Sequence, residues 1–252
     1  MTFSNSSLVT HVNLSPNHSG QRVYDISIIT PHCVVGHATV DGLGELFANP
    51  ARQASSNYGI DDQGRVGMYV EERNRSWCSS SYENDQAAIT VELASDATPP
   101  YAMSETVYNR LIDLCVDICQ RYGKKRLVWI PDKETALSYQ PDSETMQLTV
   151  HRWFANKSCP GDWLFERLGD VVEKVTARLD ASSAPTPTPS TTSPVATTVE
   201  KVRGDVPSPW AKDAFDWAVG NGILLGDGSS YRLKDAVSRE ELITILHRAL
   251  SK

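Results

Sequence analysis

The chain has 252 residues, a formal charge of −7 at neutral pH and 40% apolar residues, enough for a domain of ordinary size and a smaller unit beside it. Its acidic balance argues against nucleic acid as a partner, because phosphate binding needs a basic face. No apolar run reaches the roughly 18–20 residues that span a bilayer, and residues 1–20 lack the basic start and apolar core of a secretory signal. The expectation is a protein with no membrane span, held in the cytoplasm until something releases it.

In chain order, Val23 to Pro31 is β-branched and apolar. It predicts a central strand delivering His32 at its C-terminal end, where open α/β sheets place their sites. Val40 to Phe47 reads as a short helix despite its two glycines, and Ser55 to Ile60 as a short strand. Asp61-Asp62-Gln63-Gly64 signals a turn before a strand over Arg65 to Val70. Ala87 to Leu93 is another apolar strand, with Glu92 near its end. Ser104 to Tyr122 is the strongest helix: Ser104 is a good N-cap, Val107, Leu111, Leu114, Cys115 and Ile118 form a stripe, and Gly123 stops it. Leu127 to Ile130 predicts a strand, Pro131 to Glu144 a polar loop, Met146 to Val150 a strand, and Asp162 to Leu179 an amphipathic helix. This alternation predicts an α/β domain over residues 1–180, with a mixed central sheet flanked by helices. Residues 181–203 turn to Ser, Thr, Pro and Ala and read as a linker. Residues 204–252 predict a small all-α unit, with helices over Trp210 to Val219 and Ser238 to Leu250.

The stretch from His151 to Gly161 carries two soft metal ligands, His151 and Cys159, with Lys157 between them and a Pro160-Gly161 turn behind. A third ligand is needed, and His32, at a strand end, is the strongest candidate. His11, His18 and His247 read as surface or satisfied residues, and His37 as intermediate. Two imidazoles and a thiolate suit zinc and leave a fourth tetrahedral position for water, which marks a catalytic site. The rival is a closed structural site with Cys33 or Cys78 as fourth ligand. Cys33 is a poor partner because adjacent strand residues face opposite ways; Cys78 stays open. The five cysteines are an odd count without scaffold spacing and read as free thiols, with Cys115 and Cys119 as buried small hydrophobes on one helix face. Carbonyl chemistry also needs a proton carrier and an oxyanion partner. Glu92, Lys157 and Tyr58 are the candidates, each with a bland alternative as a solvated charge or half-buried aromatic.

These residues resemble the zinc-dependent type-2 N-acetylmuramoyl-L-alanine amidases, a family that includes phage endolysins and is related to peptidoglycan recognition proteins. The resemblance rests on Ile29-Thr30-Pro31-His32-Cys33, Ser55-Ser56-Asn57-Tyr58-Gly59-Ile60, Arg75-Ser76-Trp77-Cys78, Ala88-Ile89-Thr90-Val91-Glu92 and His151 to Gly161. It implies that His32, His151 and Cys159 hold Zn2+. It further implies Glu92 as general base, Lys157 and Tyr58 as stabilisers of the tetrahedral intermediate, and Asn57, Trp77 and Trp153 as groove residues that contact substrate. Two departures stand out: many relatives carry His at Asn57, and a Trp-His pair at Trp77-Cys78. The implied reaction is hydrolysis of the amide between N-acetylmuramic acid and L-alanine in peptidoglycan. Residues from about 204 onward resemble one S-layer homology repeat, through Trp210-Ala211-Lys212-Asp213-Ala214, Trp217 to Ile223 and Val237 to Glu241. That resemblance implies binding to a secondary cell-wall polymer, with Trp210 and Arg239 at the ligand, or homo-oligomerisation through the unit. A phage endolysin, reaching the wall once a separate membrane protein opens the way, accounts for the missing signal, the catalytic unit and the tethered anchor together. The alternatives are a non-catalytic peptidoglycan-binding module and a cytoplasmic amidase that recycles muropeptides.

Overall fold

A computed structural model describes residues 3–183 together with Pro207, residues 212–220, and residues 223, 224, 231, 233 and 245. The chain divides into two compact units, Met1–Thr186 and Pro187–Lys252. The first is a mixed α/β domain. In chain order its strands are β1 (Val9–Val12), β2 (His18–Gln21), β3 (Ile28–Cys33), β4 (Tyr58–Ile60), β5 (Val66–Met68), β6 (Asn74–Ser76), β7 (Ala88–Leu93), β8 (Arg126–Val128) and β9 (Thr145–Leu148). The α-helices are α1 (Val40–Ala48), α2 (Tyr82–Ala87), α3 (Glu105–Arg121), α4 (Lys133–Ser138), α5 (Asp162–Phe165) and α6 (Leu168–Ser183). Seven strands form one sheet in the order β1-β5-β4-β7-β3-β9-β8, and β2 pairs with β6 separately. Within the large sheet only the β4–β5 hairpin is antiparallel.

Strand alternation gives the central strands two different faces. Ile29 and Cys33 of β3 and Ile89, Val91 and Leu93 of β7 join the main core, with Leu111, Leu114, Cys115 and Ile118 of α3 and Val171, Val175 and Leu179 of α6. The other face is polar: Thr30 and His32 on β3, Thr90 and Glu92 on β7. The parallel register sets Thr30 opposite Thr90 and His32 opposite Glu92. Two buried hydrogen-bonded clusters stiffen this face. Thr30, Thr149 and Asn84 close a ring with contacts of 2.7, 2.8 and 3.0 Å. Asn57, Thr90 and Ser76 form the second. On the same side, α1 packs Leu43 and Phe47 against Tyr69.

Ser104 caps α3, accepting from the Val107 N–H, and Gly123 follows its end with a φ of 66°. Cys115 and Cys119 are fully buried. Several expectations are corrected. The predicted helix over Asp162 to Leu179 breaks at residues 166–167 into α5 and α6, although Leu164, Leu168, Val171, Val175 and Leu179 keep one buried stripe across the break. The predicted loop over Pro131 to Glu144 contains α4, started by the Asp132 carboxylate accepting from the Thr135 N–H at 2.9 Å. The polar N-terminal segment supplies β1 and β2.

In the second unit, α7 (Lys212–Gly220) overlaps the predicted helix over Trp210 to Val219 and runs one residue past its end, and Ile223 just beyond it is buried. Trp210, Arg239, His247, residues 184–203 and, apart from Ile245, the predicted helix over Ser238 to Leu250 lie outside the described residues. No helix among the described residues is long and apolar enough to cross a membrane.

Candidate active site

The site lies at the C-terminal ends of β3, β7 and β9. His32 comes from β3 and Glu92 from β7, side by side through the register. His151 opens a single 3-10 turn, His151–Trp153, soon after β9, and the loop that follows returns Cys159 to the end of β3. There the Cys33 N–H donates to Cys159 Sγ at 3.4 Å. A cleft of about 710 Å3 opens above these residues. Its walls are Leu43, Leu46 and Phe47 of α1, Cys78, Ser80 and Ser81 ahead of α2 with Tyr82 at its start, and Lys157 to Cys159. Arg52, Arg75 and Tyr101 also reach it.

His32, His151 and Cys159 each bring a ligand atom to within 4.8 Å of the others. Cys159 Sγ lies 3.3 Å from His32 Nδ1, and the two imidazole centroids are 5.0 Å apart. Burial, and then the neighbouring His151, push the His32 pKa well below its ordinary value. Burial, and then Lys157, lower that of His151. Both shifts favour the neutral ring, the form that binds metal. The hydrogen bond to the Cys33 thiol, together with burial, raises the Cys159 thiol; a divalent cation would reverse that by favouring the thiolate. His32 Nε2 and Glu92 Oε2 are buried with no hydrogen-bond partner. Buried polar atoms are ordinarily satisfied, so this pair marks a place for a charged or polar occupant. The donor set of two neutral imidazoles and a thiolate fits zinc.

Glu92 is pushed up to about 7, by burial first, against the opposing effects of the Cys78 hydrogen bond and Arg52. Cys78 Sγ lies 3.7 Å from Glu92 Oε1. Lys157 is exposed on the rim of the cleft. Trp77 lines it, with its indole N–H donating to Ser19 at 2.7 Å.

Three predicted site residues are placed elsewhere. Tyr58, expected at the substrate oxygen, is fully buried. It pairs with Val91, not Glu92, so its ring turns to the α3 side of the sheet. There its hydroxyl donates to Glu72 at 2.6 Å and accepts from the Ser6 N–H at 2.9 Å. Asn57, expected in the groove, is fully buried and accepts from Arg22, Thr90 and Ser76. Trp153 stacks on Trp129 at 5.1 Å with the ring planes 3° apart, and is 7% exposed. Conversely, Cys78, Arg52 and Ser80 reach the cleft. Cys78 carries two signals in the sequence, as an open candidate for a fourth metal ligand and as a departure from the amidase pattern at Trp77-Cys78. Ser80, whose Oγ lies 3.0 Å from His151 Nε2, had none.

The family described as N-acetylmuramoyl-L-alanine amidase matches residues 23–162. Among solved structures, the chain is similar in fold to Staphylococcus aureus hydrolase AmiA in complex with its ligand. That match has 16% identity and a TM-score of 0.50, covering 73% of this chain and 98% of that one. A mutant endolysin from Bacillus subtilis matches at 14% identity and 0.44, over 66% and 97%. A Drosophila peptidoglycan recognition protein, (PGRP)-SA, matches at 12% and 0.46, over 63% and 90%. No curated protein matches the chain.

Proposed function

Starting from a chain that belongs to the N-acetylmuramoyl-L-alanine amidase family, we propose that it hydrolyses the amide joining N-acetylmuramic acid to L-alanine in peptidoglycan. The observation that carries this is the meeting of His32, His151 and Cys159 within 4.8 Å, beside a buried carboxyl whose pKa is about 7. His32, His151 and Cys159 would hold a zinc ion. Zinc so bound supplies positive charge for the scissile carbonyl oxygen and lowers the pKa of water.

Glu92 is placed to take a proton from the attacking water and return it to the leaving alanine nitrogen. A group titrating near 7 is suited to both transfers. Lys157 brings a cation to the rim of the same cleft and offsets negative charge developing on the lactyl oxygen. Leu43, Leu46 and Phe47 give the cleft an apolar wall, and Trp77 offers a flat surface for a sugar or peptide. At about 710 Å3 the cleft is of the size that holds a small-molecule segment, so it would take one muramyl-peptide junction of a larger polymer.

As part of the same reading, residues 204–252 anchor the enzyme to a secondary cell-wall polymer through Trp210 and Arg239. The Ser/Thr/Pro-rich residues that follow α6, 184–203, act as the tether, which raises local substrate concentration. The enzyme is read as an endolysin that meets the wall after release by a separate membrane protein. Digestion of purified peptidoglycan tests the chemistry. New alanine amino termini without new reducing sugars are expected; reducing sugars in their place would mean glycosidic cleavage and defeat the reading.

A further inference from the structure

We propose that His32, Cys78 and Glu92 form a second metal position, overlapping the first through the shared His32, and that a thiophilic divalent ion such as zinc bound there takes Glu92 away from proton transfer. The inference rests on the zinc-amidase reading for its effect on activity, but not for the site itself.

Three observations support it. One ligand atom from each of His32, Cys78 and Glu92 lies within 4.8 Å of the others. Three donors bound to one zinc ion at roughly 2.0–2.3 Å must fall within such a distance of each other. Next, two atoms of this set, His32 Nε2 and Glu92 Oε2, are buried and without a hydrogen-bond partner among the described residues. His32 Nδ1 meets Cys159, which leaves Nε2 as the ring nitrogen without a partner. Finally, the chemistry is that of a zinc site: nitrogen, thiolate sulfur and carboxylate oxygen. Cys78 binds as thiolate, and its proton leaves to solvent.

The two positions are not equivalent in consequence. An ion on the His151 and Cys159 side leaves both oxygens of Glu92 free. An ion on the Cys78 side uses one of them, and a carboxylate bound to a cation is a poor base. Metal in excess of one equivalent would therefore inhibit this enzyme.

Cobalt(II) reports thiolate ligands directly through a charge-transfer band in the near ultraviolet. The band is expected in the wild-type full-length protein and in a C33S/C159S variant, where Cys78 is the thiolate in reach, and is expected to vanish when C78S is added. A wild-type band with none in C33S/C159S that retains its native near-ultraviolet circular dichroism overturns the proposal. No band in the wild type would overturn the proposal and the His32–His151–Cys159 assignment together, whereas a band lost only on C78S addition keeps the two apart. A second arm avoids unfolding: zinc is titrated above one equivalent into wild type and C78S during wall digestion. The wild type is expected to be inhibited, with the midpoint moving at least about tenfold higher in C78S, as loss of a ligand costs no less than loss of its hydrogen-bonded support. An uninhibited wild type, or equal midpoints, overturns the proposal.

Discussion

At the scale of single residues, position on a strand decides role. Glu92 and Tyr58 both sit on strands beside the cleft, yet Glu92 pairs with His32 and Tyr58 with Val91. One therefore faces the site and the other the core. Glu92→Gln is expected to lower turnover by about 10²–10⁴-fold, the usual worth of a general base, with the metal bound at one equivalent of zinc unchanged by elemental analysis; near-normal turnover would remove Glu92 from the chemistry. Tyr58→Phe is expected to do the reverse. It loses the bond to Glu72 and leaves the Ser6 N–H without its acceptor, costing about 1–2 kcal/mol in denaturant unfolding with turnover little changed. A hundredfold fall in turnover at unchanged stability would return Tyr58 to the active site. The thiols divide in the same way. Cys115 and Cys119 are buried in the core, and burial pushes Cys119 up to about 12, so neither should be alkylated in the native protein. Cys159 should become alkylated when metal is chelated and be protected when zinc is restored; protection unaffected by chelation would count against its ligand role.

At the scale of elements, periodicity made most of the frame readable. The α3 stripe, its Ser104 cap and the apolar run of β7 announce themselves because propensity, pattern and termination agree. The elements that were missed are short: β1 and β2 have four residues each, β6 three, and α2 and α4 six. Pieces of that length owe their form to what they pack on. α2 and α4 still carried a signal in their caps, Ser81 and Asp132. The β4–β5 hairpin shows how closely elements meet. A Cβ added at Gly67 would lie 2.7 Å from the Tyr69 Cζ, and one at Gly59 2.7 Å from Leu43 Cδ1. Gly67→Ala should therefore destabilise the domain by about 1–3 kcal/mol through overpacking, seen as a lower denaturation midpoint. An unchanged midpoint would show that Tyr69 can move aside, although its hydroxyl is held by the Val40 carbonyl at 2.9 Å.

For the whole molecule, the two compact units allow a division of labour to be tested. A chain ending at residue 186 is expected to keep its turnover on a short muramyl-peptide and to lose sedimentation with intact cell walls. Walls bound as well by the truncated chain as by the full one would refute the anchoring role of residues 204–252.

The sequence by itself determined the ligand types, the α/β alternation and the strands and loop that carry His32, His151 and Cys159, because apolar periodicity and ligand chemistry are local properties. It also carried the family, whose model matches residues 23–162. Tertiary structure alone decided which side chains share the cleft. A one-residue step in strand pairing turns a side chain to the opposite face, and no pattern within β4 says that Tyr58 meets Val91. The same dependence on register and loop return brings Cys78 to Glu92 across 14 residues and Cys33 to Cys159 across 126.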